Sequence, residues 1–465
     1  MERTAPPEIT NLGQLRASGH RHRTVAEELR DNLLTYLRNG DDAFRGIVGF
    51  DDTVLPQVQR AILAGHDFVL LGERGQGKTR LMRSLVALLD EWTPVIEGSE
   101  LNEHPYQPIS LGSIARADEL GDDLPVSWWH RDERYGEKLA TPDTSVGDLI
   151  GDVDPTKIAE GRRLGDPETV HYGLLPRYNR GLFGLNELPD LAERIQVGLF
   201  NVLEERDIQI RGYILRLPLD VLVVASANPE DYTNRGRIIT PLKDRFGAEI
   251  RTHYPVELAD EMAVIRQEAH LVAEVPDPLV EILARLTRGL RESSSVDQRS
   301  GVSARFSIAG AETVAAAALH RKAVQGEKEA VARVVDLETA VDVLGGKVEF
   351  EVGEEGRERP ILDHLLRTAT ADTVRHLFAG LDLAPLVAAF EEGTLVTTGE
   401  RVTASDFLAA LPPLSGGSLY DDIADRIDAK SDGERACAIE LALEGLYLAR
   451  KVGKDSAGGE TVYGQ

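Results

Sequence analysis

Residues 71–80, LGERGQGKTR, restrict the possible folds of this chain more than any other stretch of its sequence. They contain G-x-x-x-x-G-K-[ST] without a mismatch, directly after the apolar run Phe68–Leu71 and before apolar residues at helical spacing. Glycines in such a loop let backbone N–H groups surround phosphate oxygens, and the helix that follows adds its positive end. The stretch therefore predicts a nucleotide-binding loop between a buried strand and a helix.

Every residue of this loop is a candidate nucleotide contact, and the set is Gly72, Glu73, Arg74, Gly75, Gln76, Gly77, Lys78 and Thr79. In a loop of this kind the lysine bridges the outer phosphates and the hydroxyl of the last residue binds Mg²⁺. We expect Lys78 and Thr79 to have these roles. A chance glycine turn is the alternative, and the strand and helix on either side argue against it.

Two further apolar stretches, Leu182–Leu185 and Val221–Ala225, predict buried strands. Apolar strands that alternate with helices indicate an α/β fold with a parallel sheet in three layers. Polar residues follow both strands: Asn186 and Glu187 after the first, and Asn228 after the second. The ends of parallel strands share one edge of a sheet, so these side chains are expected beside the phosphate loop.

A nucleotide hydrolase needs a carboxylate near the metal and a group that orients the attacking water. Glu187 is the candidate base, and the alternative is a solvated carboxylate at a helix start. Asn186 stands where an aspartate is usual; its amide oxygen can support Mg²⁺ but brings no charge, so metal affinity or turnover is expected to fall. Asn228 could bond the γ-phosphate or the water, or it could open a turn together with Pro229.

Composition excludes several classes of protein. The 465 residues suffice for two to four domains, and no apolar run approaches the ~20 residues that cross a bilayer. The first twenty residues lack the apolar core of a secretory signal. Cys437 is the only cysteine, so no internal disulfide can form, which suits a reducing cytoplasm. We therefore expect a cytoplasmic protein without a membrane segment.

The formal net charge of −26 argues against general nucleic-acid binding, because phosphate backbones need a basic face and no Lys/Arg run supplies one. Solubility is the simpler explanation of the acidity. Remodelling of nucleic acid is therefore kept only as a disfavoured alternative.

Residues 97–146 are polar and rich in Asp, Glu, Gly and Pro, and they predict a long inserted loop with one short strand near Pro108–Ser110. The adjacent Trp128 and Trp129 could anchor a partner or could hold the insertion against the core. A metal site is disfavoured, because the spacing of the available ligands matches no closed site; those ligands are His104, His130, Asp132 and Glu133.

The chain turns helical from about residue 256, and residues 345–360 are glycine-rich and charged. We expect an N-terminal helical extension at 1–43, an α/β nucleotide-binding domain at 44–255, helices at 256–345 and a small, mostly helical domain at 346–465. Apolar spacing predicts a helix over 21–40 that ends at Gly40, and the last dozen residues are expected to be a loose tail.

Taken together, these residues resemble the AAA+ ATPases, in the branch of the MoxR proteins and the ATPase subunit of magnesium chelatase. The likeness runs from about Phe44 to Arg305 and rests on Gly46–Gly49, GERGQGKT, GLLPRYNRGLFGLNEL, ASANPED and Leu242–Gly247. It implies a three-layer P-loop AAA+ core with a parallel sheet, then a helical lid over 256–345. Residues beyond about 350 lie outside the resemblance, and Asn186 departs from the pattern of the family.

The resemblance also assigns candidate roles beyond the loop. Arg245 matches the arginine that reaches the γ-phosphate of the neighbouring subunit, and Arg305 lies near the position of a second sensor in the lid. For both residues an ordinary structural role is the alternative. Val48 and Gly49 match the turn that lines the adenine pocket. Two extra hairpins are expected, one around Gly212 and one between about Val146 and Tyr172.

The function that the resemblance implies is an ATP-driven, Mg²⁺-dependent homo-oligomeric ring, taken as hexameric. Such a ring would remodel a protein client or load a metal into it, and would act with a separate protein that carries a von Willebrand factor A domain. The alternative is a nucleotide-gated scaffold that turns over ATP slowly or not at all because of Asn186.

Overall fold

The computed structural model describes residues 3–154, 156, 159, 169–210, 213–215, 217–229, 237–297, 301–414, 418–457 and 459–464. The chain divides into two compact units, Met1–His253 and Tyr254–Gln465. The first unit contains the phosphate loop and all strands of the central sheet.

The first unit alternates strands and helices in the manner that the sequence predicts. Its strands are β1 (Phe68–Leu71), β2 (Trp92–Ile96), β3 (Val126–His130), β4 (Tyr135–Leu139), β5 (Gly151–Val153), β6 (Val170–Tyr172), β7 (Gly181–Asn186), β8 (Ile208–Ile210), β9 (Tyr213–Leu215), β10 (Val221–Ala227) and β11 (Ala248–Arg251). Its helices are α1 (Leu12–Ala17), α2 (Val25–Asn39), α3 (Leu55–Ala64), α4 (Lys78–Ser84), α5 (Leu111–Leu120), α6 (Val146–Leu149), α7 (Leu174–Arg177), α8 (Glu193–Gly198), α9 (Phe200–Glu204) and α10 (Thr240–Lys243).

Five parallel strands form the central sheet in the order β11-β1-β10-β7-β4. Strand β10 lies between β1 and β7, with Leu71 opposite Ala227 on one side and Leu185 opposite Ala225 on the other. Every residue of β1, β7 and β10 is buried, as expected for strands covered on both faces. The predicted parallel α/β sheet is therefore confirmed, and its three central strands end at one edge.

The expectation of a long polar loop over 97–146 is wrong for much of that segment. It contains α5 and β3, and β4 is the outer strand of the central sheet, paired only with β7. An edge strand tolerates charged residues because one of its sides is open, so Glu137 and Leu139 are exposed and no continuous apolar run marks the strand. Gly136 is required there, because a Cβ would lie 2.1 Å from the Tyr178 ring.

Helix α2 covers one face of the sheet. Thr24 and Glu27 form a capping box at its start, and Gly40 ends it with φ 71°, as the sequence predicts. Its residues Val25, Leu29 and Leu33 are buried in a core that also contains Phe68 of β1. The helix begins at residue 25 rather than 21 because the capping box stops it there.

The indole of Trp128 donates a hydrogen bond to the carbonyl of Ile9 (2.9 Å), and Val126 N–H donates to the carbonyl of Thr10 (2.9 Å). Trp128 thus holds the N-terminal segment against β3, a contact that differs from both of its predicted roles. Both expected hairpins are present as antiparallel pairs, β5 with β6 and β8 with β9. Gly212 itself lies outside the described residues.

The second unit is mostly helical. Its helices are α11 (Leu258–Glu268), α12 (Asp277–Glu292), α13 (Arg305–Gln325), α14 (Val334–Leu344), α15 (Glu358–Leu377), α16 (Ala384–Glu391), α17 (Ala404–Ala409), α18 (Leu419–Asp425) and α19 (Asp432–Leu448). One hydrophobic core includes residues from both 256–345 and 346–465, among them Leu283 and Leu441. No helix in the described part of the chain is long and apolar enough to cross a membrane.

The prediction of a loose C-terminal tail is wrong. The three strands β12 (Val396–Gly399), β13 (Gly453–Ala457) and β14 (Glu460–Gly464) form an antiparallel sheet with β14 in the middle. Tyr463 is 1% exposed, and its hydroxyl donates to the Glu444 carboxylate at 2.5 Å. Only Tyr463 and Gly464 of β14 are buried, so the segment lacks the apolar run of a core strand, and Gly459 makes the turn with φ 83°.

Candidate functional site

The phosphate loop joins the end of β1 to the start of α4. Gly75 and Gly77 have φ angles of 76° and 74°, a region that favours glycine, and Lys78 is the first residue of the helix. Gly72 is needed for a different reason, because a Cβ at this position would lie 1.9 Å from Thr252 Oγ1. The loop therefore has the predicted strand–loop–helix form.

Lys78 is buried, and its ammonium group lies inside the loop. Nζ donates to the carbonyl oxygens of Gly72 and of Glu73, the latter at 2.8 Å. A buried ammonium needs acceptors around it, and here backbone carbonyls supply them. The same ammonium could exchange these carbonyls for phosphate oxygens, which are stronger, charged acceptors.

Gln76 and Thr252 brace the loop from within. Gln76 Oε1 accepts from the Glu73 backbone N–H (3.1 Å) and from Thr252 Oγ1 (2.8 Å), and the Thr252 backbone N–H donates to the carbonyl of Leu71 (2.8 Å). The sequence predicts Gln76 as a nucleotide contact, whereas it buttresses the loop in this structure. Sequence reasoning missed Thr252, because a lone threonine after a short strand gives no signal.

Thr79 and Asn186 meet at the mouth of the loop. Thr79 Oγ1 donates to Asn186 Oδ1 at 3.1 Å, across the gap between α4 and the end of β7. Hydroxyl and amide oxygens are hard donors of the kind that Mg²⁺ prefers. The two predicted metal residues are therefore together and fit that ion, although the pair lacks the negative charge of an aspartate.

Ser226 joins this pair from the middle strand. Its Oγ donates to Asn186 Oδ1 at 3.3 Å and accepts the backbone N–H of Glu187 at 3.2 Å. The residue is 1% exposed and was not among the predicted site residues. The signal that could have identified it is a lone hydroxyl within an otherwise apolar strand.

Glu187 follows β7 directly, and its backbone is in the left-handed region, with φ 54° and ψ 49°. A non-glycine residue in this region is uncommon and is often found at functional sites. The conformation turns the chain sharply at the sheet edge, and the Glu187 side chain is half-buried. The alternative of a freely solvated carboxylate therefore loses support.

Asn228 lies at the carboxyl edge of the central sheet, and the Val48–Gly49 turn is linked to α4 through the neighbouring Gly46. Asn228 is buried and comes directly after β10, between the ends of β1 and β7. Val48 and Gly49 are half-buried, and Gly49 has φ 76°. The Arg80 side chain ties this turn to α4 by donating to the carbonyl of Gly46 at 3.0 Å.

Arg245 follows α10 and is held within its own unit. Its guanidinium forms an ion pair with Glu204 (2.6 Å), lies 4.3 Å from the centre of the Phe200 ring and donates to the carbonyl of Pro241 (2.7 Å). The partner is Glu204 rather than the adjacent Asp244. Arg305 belongs to the second unit, where it is the exposed first residue of α13.

The disfavoured metal ligands of residues 97–146 remain apart. The His104 ring stacks on His20, and His130 lies 3.3 Å from the Asp132 carboxylate. Among the residues that the structure describes, no three His, Cys, Asp or Glu side chains converge on a common point that could hold a metal.

A cavity of about 350 Å³ opens at the opposite, amino-terminal edge of the sheet and is lined by His22, His104, Arg180 and Asp220. Burial, and secondarily the Arg134 charge, lowers the pKa of Arg180 to about 9. The Asp220 carboxylate accepts the backbone N–H of Val25 and so supports the start of α2. These contacts are structural, and the groups with nucleotide chemistry lie at the other edge.

Sequence comparison finds relatives over about half of the chain. No family model matches the chain. The chain is 25% identical over 244 residues to the magnesium-chelatase subunit ChlI of Nostoc sp., which covers 50% of this chain and 60% of that protein. It is 29% identical over 228 residues to the magnesium-chelatase 38 kDa subunit of Rhodobacter capsulatus, covering 48% of this chain and 59% of that subunit.

The chain is similar to these magnesium-chelatase subunits, in agreement with the resemblance that the sequence motifs carry. It matches about three fifths of the length of these curated relatives. Among solved structures, the BchI–BchD complex of magnesium chelatase superposes with a TM-score of 0.36 at 21% identity, over 68% of this chain and 98% of that chain. A RuvB variant of Thermotoga maritima gives 0.34 at 14% identity, over 80% and 86%. The α/β P-loop AAA+ fold is visible directly in the sheet order and the phosphate loop.

The contact between Gly72 and Thr252 predicts that Gly72→Ala destabilises the first unit. The added methyl group would overlap Thr252 Oγ1 and Gln76 Oε1, and such overpacking costs about 1–3 kcal/mol. The measurement is the free energy of unfolding in urea. Gly112→Ala in α5 is the matched control, because its added methyl group meets nothing within 4 Å and should be neutral or slightly stabilising. Equal stabilities of the two variants would contradict the packing argument.

Proposed function

We propose that this chain binds ATP at the carboxyl edge of its central sheet and hydrolyses it with the help of Mg²⁺. The observation that carries the proposal is the convergence of four groups at that edge: the phosphate loop, the Thr79–Asn186 pair, the half-buried Glu187 and the buried Asn228. Ligands of parallel α/β sheets bind at this edge as a rule. The AAA+ relationship of the chain supports the same chemistry in general.

The phosphate loop would hold the triphosphate. The backbone N–H groups of the loop and the start of α4 supply a positive cradle, and Lys78 supplies the neutralising ammonium for the outer phosphates. Thr79 and Asn186 would hold Mg²⁺, which when bound neutralises charge on the phosphate oxygens. The Val48–Gly49 turn, tied to α4 through Arg80, is the proposed wall of the adenine pocket.

Glu187 is the proposed group that accepts a proton from the attacking water. Its left-handed backbone directs the residue out of the sheet edge while its N–H stays bonded to Ser226, which fixes the starting point of the side chain. Asn228 emerges from the strand between β1 and β7 and is the proposed hydrogen-bond donor to the γ-phosphate. Glu187 and Asn228 have different proposed roles, so turnover measurements on single variants should separate the loss of the base from the loss of the hydrogen-bond donor.

Arg245 is proposed to act on the nucleotide of a neighbouring copy. In the single chain the Arg245 guanidinium forms an ion pair with Glu204 and lies over the Phe200 ring. An approaching anion could replace these contacts. The Glu204 side chain is 55% exposed, so this ion pair is a weak one. Turnover would then depend on assembly into a ring, proposed to be hexameric, and Arg305 is proposed as a second sensor within the helical second unit.

The work that hydrolysis drives is proposed by analogy with the branch. Movement of the two hairpins and of the second unit would remodel a protein client or load a metal into it, together with a separate protein that carries a von Willebrand factor A domain. In magnesium chelatase, the subunits BchI and BchD form a complex. Affinity purification of the Glu187→Gln chain in ATP tests this step, and recovery of no specific protein beyond the wild-type background would contradict it.

A second candidate function is a nucleotide-gated scaffold with little turnover. Asn186 favours it, because an amide in the Mg²⁺ site supplies the geometry of an aspartate without its charge. Both functions need the same pocket, so nucleotide binding alone does not separate them.

Steady-state phosphate release separates the two functions. If the chain is an ATPase, Glu187→Gln should lower turnover by about 10²-fold or more, as expected for loss of a general base. Asn186→Asp should raise turnover or lower the Mg²⁺ concentration that it requires, because a carboxylate adds charge beside the ion. Asn39→Asp adds the same charge on the exposed end of α2 and should change neither. A wild-type rate no higher than that of Glu187→Gln would contradict the hydrolase and favour the scaffold.

Mixing two inactive variants tests the role of Arg245 across subunits. Arg245→Ala keeps its own phosphate loop, whereas Lys78→Ala keeps its arginine, so a mixed ring contains some complete sites. Each variant alone should lose about 10³-fold in turnover, the low end for such an arginine. The 1:1 mixture should recover a clear fraction of wild-type activity. Arg251→Ala is the exposed-arginine control and should remain active. A mixture no more active than its components would contradict action in trans.

A further inference from the structure

We propose that Ser226 is a positioning residue that makes the amide of Asn186 present its oxygen, and not its nitrogen, to Thr79, so that the lone pairs of the threonine oxygen stay available to Mg²⁺. The inference rests on the proposed nucleotide site. The Asn186 amide can adopt two orientations, because it has one oxygen and one NH₂ group and a half-turn of the side chain exchanges them. An aspartate has no such ambiguity.

The Ser226 hydroxyl has one proton to donate. The backbone N–H of Glu187 must donate, and it points at Ser226 Oγ at 3.2 Å, so the hydroxyl accepts there. Ser226 is 1% exposed, and Asn186 Oδ1 is the only acceptor for its proton among the residues that the structure describes. If the amide were turned, two donors would face the hydroxyl and its proton would be buried without an acceptor, which is strongly unfavourable.

The orientation of the amide then decides how Thr79 presents its hydroxyl. With Oδ1 toward α4, Thr79 donates its proton to Asn186 at 3.1 Å, and the lone pairs of its oxygen remain available to a cation. With NH₂ toward α4, the amide would donate to Thr79, occupy one lone pair and direct the threonine proton away from Asn186. The first arrangement suits Mg²⁺ and the second repels it.

Strand pairing explains why Ser226 can do this. The register of β10 with β7 sets Ala225 opposite Leu185, and Ser226 and Asn186 are the residues that follow this pair in the two strands. On its other side Ser226 is paired with Leu70 of β1. Ser226 therefore lies in the strand between the one that leads into the phosphate loop and the one that carries Asn186, and its hydroxyl contacts Asn186 directly.

The test is a double-mutant cycle read by Mg²⁺-dependent nucleotide binding. A fluorescent ATP analogue is bound to wild type, Ser226→Ala, Asn186→Asp and the double variant, and Mg²⁺ is titrated. Ser226→Ala alone should raise the Mg²⁺ concentration for half-maximal binding about tenfold, the size of one lost hydrogen bond. In the Asn186→Asp background the same change should have an effect below about threefold, because a carboxylate offers an oxygen in either orientation.

Two controls make the result specific. Ser226→Ala removes the acceptor of the Glu187 N–H both in wild type and beside Asn186→Asp. The effect of that loss on the Mg²⁺ titration therefore cancels when the two shifts are compared. Ser113→Ala removes another buried hydroxyl of the first unit and should leave the Mg²⁺ titration unchanged, while thermal melts verify that each variant is folded. Binding measured with EDTA should change less than about twofold in Ser226→Ala, since the phosphate loop itself is intact.

The inference is overturned if Ser226→Ala titrates like wild type, or if its shift is equally large beside Asn186→Asp. Failure of the proposed function gives a different result: wild type that binds the Mg²⁺–nucleotide but releases no phosphate contradicts turnover, while the binding cycle still decides the role of Ser226.

Discussion

The candidate site depends on one constraint, which is the backbone hydrogen bonding that places β10 between β1 and β7. Parallel strands end at the same edge, so this strand pairing brings Thr79, Asn186, Ser226 and Asn228 together although they are up to about 150 residues apart in the chain. A slip of one residue would turn Ser226 and Asn186 to opposite faces of the sheet. The buried apolar residues on both faces of these strands prevent such a slip, and core packing thereby maintains the chemistry.

Internal hydrogen bonds also set how strongly the phosphate loop can bind. Lys78 gives its ammonium protons to two loop carbonyls, and Gln76 occupies the N–H of Glu73. A triphosphate must replace some of these contacts, so the net affinity is smaller than the sum of the new ones. Thr252 remains as a brace between β11 and the loop. The loop is thus held near its working shape, which reduces the entropy lost on binding.

The central sheet and the phosphate loop could be predicted because their signals are local. The runs around Val69 and Val223 are continuously apolar, and the glycines at 75 and 77 mark the positive φ angles of the loop. Strand β4 escaped prediction because an edge strand lacks a continuous apolar run, and β14 escaped because only its last two residues are buried. Both depend on distant partners that a local pattern does not reveal.

The site was predictable in part for the same reason. Residues that follow apolar strands, such as Asn186 and Asn228, could be named from the sequence. Thr252 could not, and Ser226 offered only the weak signal of a lone hydroxyl in an apolar strand, since the importance of both comes from contacts between residues distant in the chain. The predicted roles of Arg245 and Arg305 concern an assembly and a second unit, and they remain predictions.

Calorimetric titration of ATP in Mg²⁺ into the wild-type chain and into Lys78→Ala tests most directly whether this sheet edge is a nucleotide site. We expect one nucleotide per wild-type chain, and an affinity at least about tenfold weaker without the ammonium, because a charged hydrogen bond to phosphate is lost. Absence of binding heat for wild type, or equal affinity in the variant, would contradict the account.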